Sequence, residues 1–362
     1  MTILYAIQGT GNGHLCRAME IIPLLQEKGR VDILVSGTEN HIGLPYPVTY
    51  RFGGLGFVFG KKGNVDILAT YRKAHIRRFV DEIKSLPVEN YDIVISDFEP
   101  VSSWACFLKG KPCLALSHQA AVVHKKSPKP RKQDPIGKAI LKFYAPADIR
   151  YGFHFQEYGN NIFLPVIRRQ VREAKVENKG HYTVYLPAYD DHRIVKVLSS
   201  YKEVRWQVFS GRAKQRYYIG GIEICPISSQ AFIKSIAAAE GIICGAGFET
   251  PAEALFLQKK LLVIPMKNQY EQQCNAAALD ALGVAVMKNL KPRHLHRLNA
   301  WLLSDATVAV EYTDQTAAII NQLFASHVVV KETDATESEP SVKAVPGFKK
   351  FRSMLLRKIF GS

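Results

Sequence analysis

Residues 2–7, Thr-Ile-Leu-Tyr-Ala-Ile, are a continuous run of β-favouring apolar side chains; the glycine-spaced stretch Gly9-Thr10-Gly11-Asn12-Gly13 follows, and then Ala18, Met19, Ile21, Ile22, Leu24 and Leu25 recur at helical spacing. The change from buried run to helical stripe predicts strand, glycine turn and helix. The same grammar repeats. Runs at 31–36, 91–96 and 113–117 predict strands and 76–86 a helix. After a looser stretch around 119–150, strand runs at 181–187, 204–209, 222–225, 241–244 and 261–265 alternate with helical patterns at 191–200, 229–238, 250–258 and 270–282. Apolar strands alternating with helices imply parallel sheets covered on both faces. The expected fold is α/β: two Rossmann-like, doubly wound parallel-sheet domains, residues 1–164 and 165–311, with the boundary near Pro165. A helix at 312–328 is placed to return to the first domain, and 329–362 reads as an acidic linker and a basic amphipathic helix. In that tail Phe348, Phe351, Leu355 and Ile359 share one face, which suits an anionic membrane surface or, equally, packing on the protein itself or a second subunit.

The length of 362 residues supports two domains, because single cores stop growing at roughly 250–300 residues. No segment approaches the ~20 apolar residues of a membrane-spanning helix, and residues 1–8 lack a basic leader, so a cytoplasmic chain is expected, peripheral on the membrane if the tail binds it. The six cysteines form no Cys-x-x-Cys pair, which argues against zinc and a disulfide framework; no metal and no cofactor are expected. The formal charge of +16 implies attraction to something anionic: nucleic acid, anionic lipid or a phosphorylated substrate. The basic segment from Lys125 to Lys132 lacks interleaved aromatics and belongs to no nucleic-acid module, so nucleic acid is not an expected partner.

Three glycines before a helix permit a tight turn and close approach of a ligand to Gly11 and Gly13, with unpaired helix N–H groups behind them. As a dinucleotide fingerprint the stretch fails: the third glycine is misplaced, and Asp32 opens the second strand where an acid should close it. His14 adds a group able to accept a proton near neutral pH. Asp97, at the end of strand 91–96, reaches the same sheet edge and is either the carboxylate that orients the imidazole or a helix cap. His118, after strand 113–117, is a rival base, with Gln119 beside it on the acceptor side.

Residues 241–255 repeat strand, glycine turn and helix, with Thr250 as a cap and Pro251 in the first turn. Such a helix start receives anions, and Glu253, one turn in, can accept hydrogen bonds from ribose hydroxyls. Further on, Glu271-Gln272-x-x-Asn275-Ala276 gathers the carboxylate and amide groups that recognise sugars. Gly247-x-x-Thr250-x-x-Glu253 followed by this second cluster resembles the donor signature of UDP-glycosyltransferases and of the cell-wall enzyme that adds N-acetylglucosamine to a lipid-linked acceptor. The opening Gly-Thr-Gly-Asn-Gly-His resembles that enzyme's glycine loop. The resemblance implies a GT-B architecture, its two domains facing a cleft, and an inverting, metal-independent transferase that moves a sugar from a nucleotide-sugar donor to a hydroxyl acceptor, with a lipid-linked molecule or an envelope glycan as the candidate acceptors. It further implies His14 as general base, Asp97 as its orienting partner, Gly245, Ala246 and Gly247 as the diphosphate turn, Glu253 as ribose ligand, and Glu271 with Gln272 as sugar ligands. Phe209, Ser210, Pro226 and Ile227, at strand ends, are expected to line the base pocket. The assignment requires Glu253 to face the gap between the domains and not to be buried against the core. A non-hydrolysing nucleotide-sugar epimerase and a nucleic-acid-binding protein are the alternatives.

Overall fold

The computed structural model describes residues 1–37, 43–55 and 76–333, with side chains followed to 325; the amphipathic tail segment 347–360 lies outside the described residues. The first half contains β1 (Thr2–Gln8), α1 (Gly13–Gln26), β2 (Arg30–Ser36), β3 (Tyr50–Phe52), α2 (Ile76–Ser85), β4 (Ile93–Asp97), α3 (Pro100–Lys109), β5 (Leu114–Ser117), α4 (His118–Val122), α5 (Pro135–Phe143), β6 (Ile149–Phe153) and β7 (Ile162–Phe163). Its seven strands lie in the order β3-β2-β1-β4-β5-β6-β7, all parallel. The second half contains α6 (Arg169–Arg172), β8 (His181–Tyr185), α7 (Asp191–Leu198), β9 (Arg205–Ser210), β10 (Tyr217–Ile219), β11 (Ile222–Pro226), α8 (Ser229–Ala238), β12 (Gly241–Gly245), α9 (Glu249–Phe256), β13 (Lys260–Ile264), α10 (Tyr270–Ala281), β14 (Ala285–Val286), α11 (Leu295–Leu303) and α12 (Thr316–Thr333). Its strands lie in the order β10-β11-β9-β8-β12-β13-β14. The α/β reading holds with one qualification: edge strand β10 runs antiparallel to β11, across a turn at Gly220-Gly221.

The strands are buried on both faces, as a parallel sheet between helix layers requires. In β1, Ile3, Tyr5 and Ile7 face a core that includes Leu15, Ala18, Ile21 and Leu25 of α1, while Leu4 and Ala6 face Phe79, Ile83 and Trp104 on the other side. The first of these cores runs on into the second half through Ile236, Ile242, Ala252 and Leu255. Ile319, Ile320 and Leu323 of α12 belong to it too, and α12 packs on α1. The register pairs Ile7 with Asp97, so the glycine turn after β1 and the carboxylate ending β4 emerge side by side at one sheet edge. Among the described residues no helix is long and apolar enough to cross a membrane. All six cysteines are free and buried.

Candidate functional site

α1 begins at Gly13 and projects His14 and, one turn on, Arg17 toward the end of β4. His14 Nδ1 lies 2.9 Å from Asp97 Oδ1 and 3.0 Å from Arg17 Nη2; with its proton directed to Asp97, the lone pair is on Nε2 at the cavity side, 3.5 Å from the Gln119 amide nitrogen. Asp97 is fully buried and does not cap a helix; that task falls to Glu99, whose carboxylate accepts from the N–H groups of Val101 and Ser102 at 2.8 and 2.6 Å. Arg17, itself buried, donates to Asp97 from Nη2 at 2.7 Å and from Nε at 3.2 Å, and its Nη1 is bonded to Glu249 at the start of α9. Burial pushes the Asp97 carboxyl up, but Arg17 and then His14 more than reverse this and hold it below its ordinary range. Glu249 goes the other way: burial raises its carboxyl to about 7 in spite of Arg17. His14, Asp97, Arg17 and Glu249 thus form one chain of contacts across the two halves.

This chain borders a cavity of about 320 Å³ between the halves. From the first half come Gly11, Gly13, His14, His118 and Gln119; from the second, Phe209, Ile227, Gly247, Glu253, Glu271 and Gln272. Tyr185, Phe209 and Phe232 build an aromatic wall, with the Phe232 ring 5.4 Å from Tyr185 and 5.1 Å from Phe209. Four of the expected donor residues do not border it. Ser210 turns its hydroxyl to Asp191 at 2.7 Å, and Pro226 stays in β11. Gly245 ends β12 and Ala246 is buried behind the turn, so the turn meets the cavity through Gly247 alone. Thr250 is not the cap either: Phe248 occupies the cap position without a side-chain bond, leaving the first N–H groups of α9 uncapped.

His118 is corrected as a base. It is buried, its Nδ1 lies 2.8 Å from the Phe153 carbonyl oxygen, its Nε2 lies 2.8 Å from Asn275 Oδ1, and its ring stacks on Phe248 at 3.9 Å. Neither nitrogen can take a substrate proton. Asn275 donates to the Ala246 carbonyl at 3.1 Å, so its amide bridges His118 of the first half to the glycine turn. Glu253 does border the gap between the halves, but as a buried group: Arg168 donates to its two oxygens at 2.5 and 2.7 Å and to Ser229 Oγ at 3.0 Å. A carboxylate has about four lone-pair sites, so a ribose hydroxyl can still find one. Glu271 accepts from Gln119 at 3.1 Å, and Gln272 turns its carbonyl to the Met266 N–H at 3.0 Å.

A second cavity, of about 300 Å³, lies on the other side of His14. Thr10, His14, Gln119 and Glu271 belong to both. Its apolar wall is Phe98, Ile136, Ile140, Leu141 and Tyr270; Asp134 and Asn268 are at its polar end. Phe98 and Asn268 hold left-handed backbone at φ of 56° and 62°, conformations that cost energy for residues with side chains and concentrate at working sites. Sequence reasoning missed Arg17, Arg168, Tyr185, Phe232 and this wall. Among the described residues no group of three His, Cys, Asp or Glu side chains is arranged to hold a metal ion.

No curated protein matches the chain by sequence. Solved structures match its fold over nearly the whole length. MurG of Acinetobacter baumannii superposes with a TM-score of 0.52 at 14% identity, covering 92% of this chain and 99% of its own. SsfS6, a glycosyltransferase of Streptomyces sp. SF2575, gives 0.52 at 15% identity, covering 91% and 96%. UGT89C1 of Arabidopsis thaliana gives 0.51 at 12% identity, covering 99% of each. The two facing sheets are therefore the GT-B arrangement. The model of glycosyl transferase family 1 matches residues 1–303, and the chain belongs to that family of glycosyltransferases.

Proposed function

We propose that this enzyme moves a sugar from a nucleoside diphosphate sugar to a hydroxyl acceptor with inversion at the anomeric carbon. The donor lies in the larger cavity and the acceptor in the second. The observation that carries the reading is His14, which stands in the wall of both cavities with its Nδ1 held by Asp97. Nε2 takes the acceptor's proton, the acceptor oxygen bonds to the anomeric carbon, and the bond to the diphosphate breaks on the opposite face. The charge left on the diphosphate meets the uncapped N–H groups of α9. The aromatic wall of Tyr185, Phe209 and Phe232 suits a nucleobase, and the step uses no metal. UGT89C1 was solved with UDP and SsfS6 with thymidine diphosphate, which supports a pyrimidine nucleotide. The test is a calorimetric panel of UDP- and TDP-sugars, followed by NMR of the product anomer. Binding of one donor, lost in Glu253→Ala, with an inverted product is expected. No binding by any donor refutes the reading, and conversion of UDP-GlcNAc to its manno epimer without acceptor replaces it with an epimerase.

The acceptor chemistry extends the same reading. Lys125, Lys126 and Lys142 are exposed around a groove that also includes Arg150, which supports attraction to an anionic membrane or a phosphorylated, lipid-linked acceptor. Co-sedimentation with phosphatidylglycerol vesicles, with and without residues 340–362, tests the part of the tail; equal binding by both forms refutes that part.

A further inference from the structure

The larger cavity holds two guanidiniums, those of Arg17 and Arg168, and each is met by a glutamate from the same helix, Glu249 and Glu253, one turn apart. The two pairs differ in kind. Arg168 and Glu253 lie within the second half, whereas Arg17 reaches across from the first half to the opening residue of α9. There the starts of α1 and α9 converge so closely that a Cβ on Gly13 would lie 3.1 Å from Glu249 Cγ. Two helix N-termini and a guanidinium at one point make a strongly positive locus. What occupies it is a carboxylate side chain, bonded only through Arg17 Nη1; Nε and Nη2 of that arginine are committed to Asp97.

We propose that Arg17 is a diphosphate-binding residue of the donor site, and that Glu249 holds its Nη1 until the donor displaces that carboxylate, which is released as the neutral acid. This rests on the donor reading above. The exchange is balanced: one proton passes from solvent to Glu249 and one Arg17 hydrogen bond passes from carboxylate to phosphate oxygen, so the proton offsets one of the two negative charges that the diphosphate brings. Without the proton, a carboxylate and a diphosphate would share one cradle, and like charges at that range disfavour each other. Two features support the release. Burial already raises the Glu249 carboxyl to about 7, so its protonation is cheap near neutrality, whereas Arg17 is held charged by Asp97 and cannot give up the proton itself. The groups facing Glu249 are Arg17, Glu253, Asp97 and His14, and among these the two other carboxylates are bonded to arginine.

The sign follows. An anion favours protonated Glu249, so donor affinity is full below its pKa and falls as pH rises above it, by up to about tenfold per pH unit for one proton. UDP-glucose is the probe because both of its phosphates are esterified and do not titrate near pH 7, as the terminal phosphate of UDP does. Calorimetry at pH 7.5 in HEPES and in Tris, whose ionisation enthalpies differ, reads the proton count in the unaltered enzyme: uptake of a substantial fraction of one proton per UDP-glucose is expected. Glu249→Gln should abolish the uptake and bind UDP-glucose at least as tightly at pH 8.5 as at pH 6.5, while the unaltered enzyme weakens about tenfold or more over that span. UDP-glucose binding with no proton uptake and a flat pH profile overturns the proposal while leaving the donor reading intact. Weaker binding by Glu249→Gln at every pH also overturns it, because Glu249 would then be a donor ligand. Failure of every nucleotide sugar to bind the unaltered enzyme sinks the donor reading, and this inference with it.

Discussion

Replacing Glu253 with leucine separates what its carboxylate does for the fold from what it does for a ligand. Only 3% of the Glu253 side chain and 11% of Arg168 are exposed, and the pair is bidentate. Removing one partner of such a pair leaves a buried charge unpaired, at a cost of about 3–5 kcal/mol. The lower end applies here, because Arg168 keeps its bond to Ser229 and borders a cavity that water enters. About 3 kcal/mol corresponds to a fall in melting temperature of roughly 6–12 °C for a domain of this size. The double variant Arg168→Met/Glu253→Leu removes both charges and should recover most of that loss, since apolar replacement of a buried pair is often neutral. Ligand binding should not recover with it. Loss of a charged acceptor for ribose hydroxyls is worth ~1.5–3 kcal/mol, or about 10–150-fold in affinity. Differential scanning fluorimetry gives the stability and calorimetry with UDP-glucose the affinity. A double variant that regains stability and donor affinity together would mean that Glu253 serves only Arg168, and the ribose role would be abandoned.

Further outcomes follow from the same contacts. His14→Gln should lower sugar transfer by about 10²–10⁴-fold while leaving UDP-glucose affinity within a few-fold; parallel loss of both would make His14 a donor ligand. Asn275→Ala strips partners from His118 and from the Ala246 carbonyl and should destabilise by about 2–4 kcal/mol in urea titration; a loss under 0.5 kcal/mol would deny it a bridging role. Because Glu249 has its carboxyl raised from 4.5 to about 7, the folded state binds more proton than the unfolded one over that window. Stability should therefore fall as pH rises through it, by ~3 kcal/mol at most and less for the part of the side chain that meets solvent, and Glu249→Gln should flatten the profile. Ile140→Trp, which fills the second cavity, should raise acceptor KM tenfold or more without moving UDP-glucose affinity; unchanged acceptor kinetics would place the acceptor elsewhere.

The central strands were legible because each is a run buried on both faces, a pattern no surface helix shares. Edge strands β3, β7, β10 and β14 were not: they are two or three residues long and partly exposed, and they exist through pairing with a neighbour. α3 escaped for the opposite reason, since Pro100 to Cys106 are buried without a break and leave no polar face to mark a period. Its start was written in Glu99-Pro100 all the same. The contact between His14 and Asp97 could be anticipated from two strand ends meeting at one edge. Arg17 could not, because at the interior of an amphipathic helix an arginine reads as a solvated charge, and only the fold brings Asp97 and Glu249 to it. Arg168 sits in the connection between the halves, outside any motif, and gains meaning only from the position of Glu253. The failure of His118 as a base has the same origin: a strand-end histidine looks available until Phe248 and Asn275 close over it.

The chain's surplus charge is not where its ligand chemistry lies. Around the larger cavity Arg17 faces Asp97 and Glu249, Arg168 faces Glu253, and Glu271 has no arginine or lysine partner among the described residues, which therefore place no excess of positive charge there. A formal +16 therefore does not predict a donor site that gathers anions by attraction. In such a compensated site an incoming diphosphate competes with resident carboxylates for each guanidinium, and affinity is set by the difference between two similar hydrogen bonds. What no side chain among the described residues hydrogen-bonds is the row of N–H groups opening α9. Those groups discriminate by geometry, because they converge on one point where an oxyanion must sit, and their partial charges are fixed and do not titrate. The position of the donor is then dictated by the backbone of the glycine turn, and the surrounding ion pairs decide at what pH, and at what cost in rearranged charge, that position can be filled.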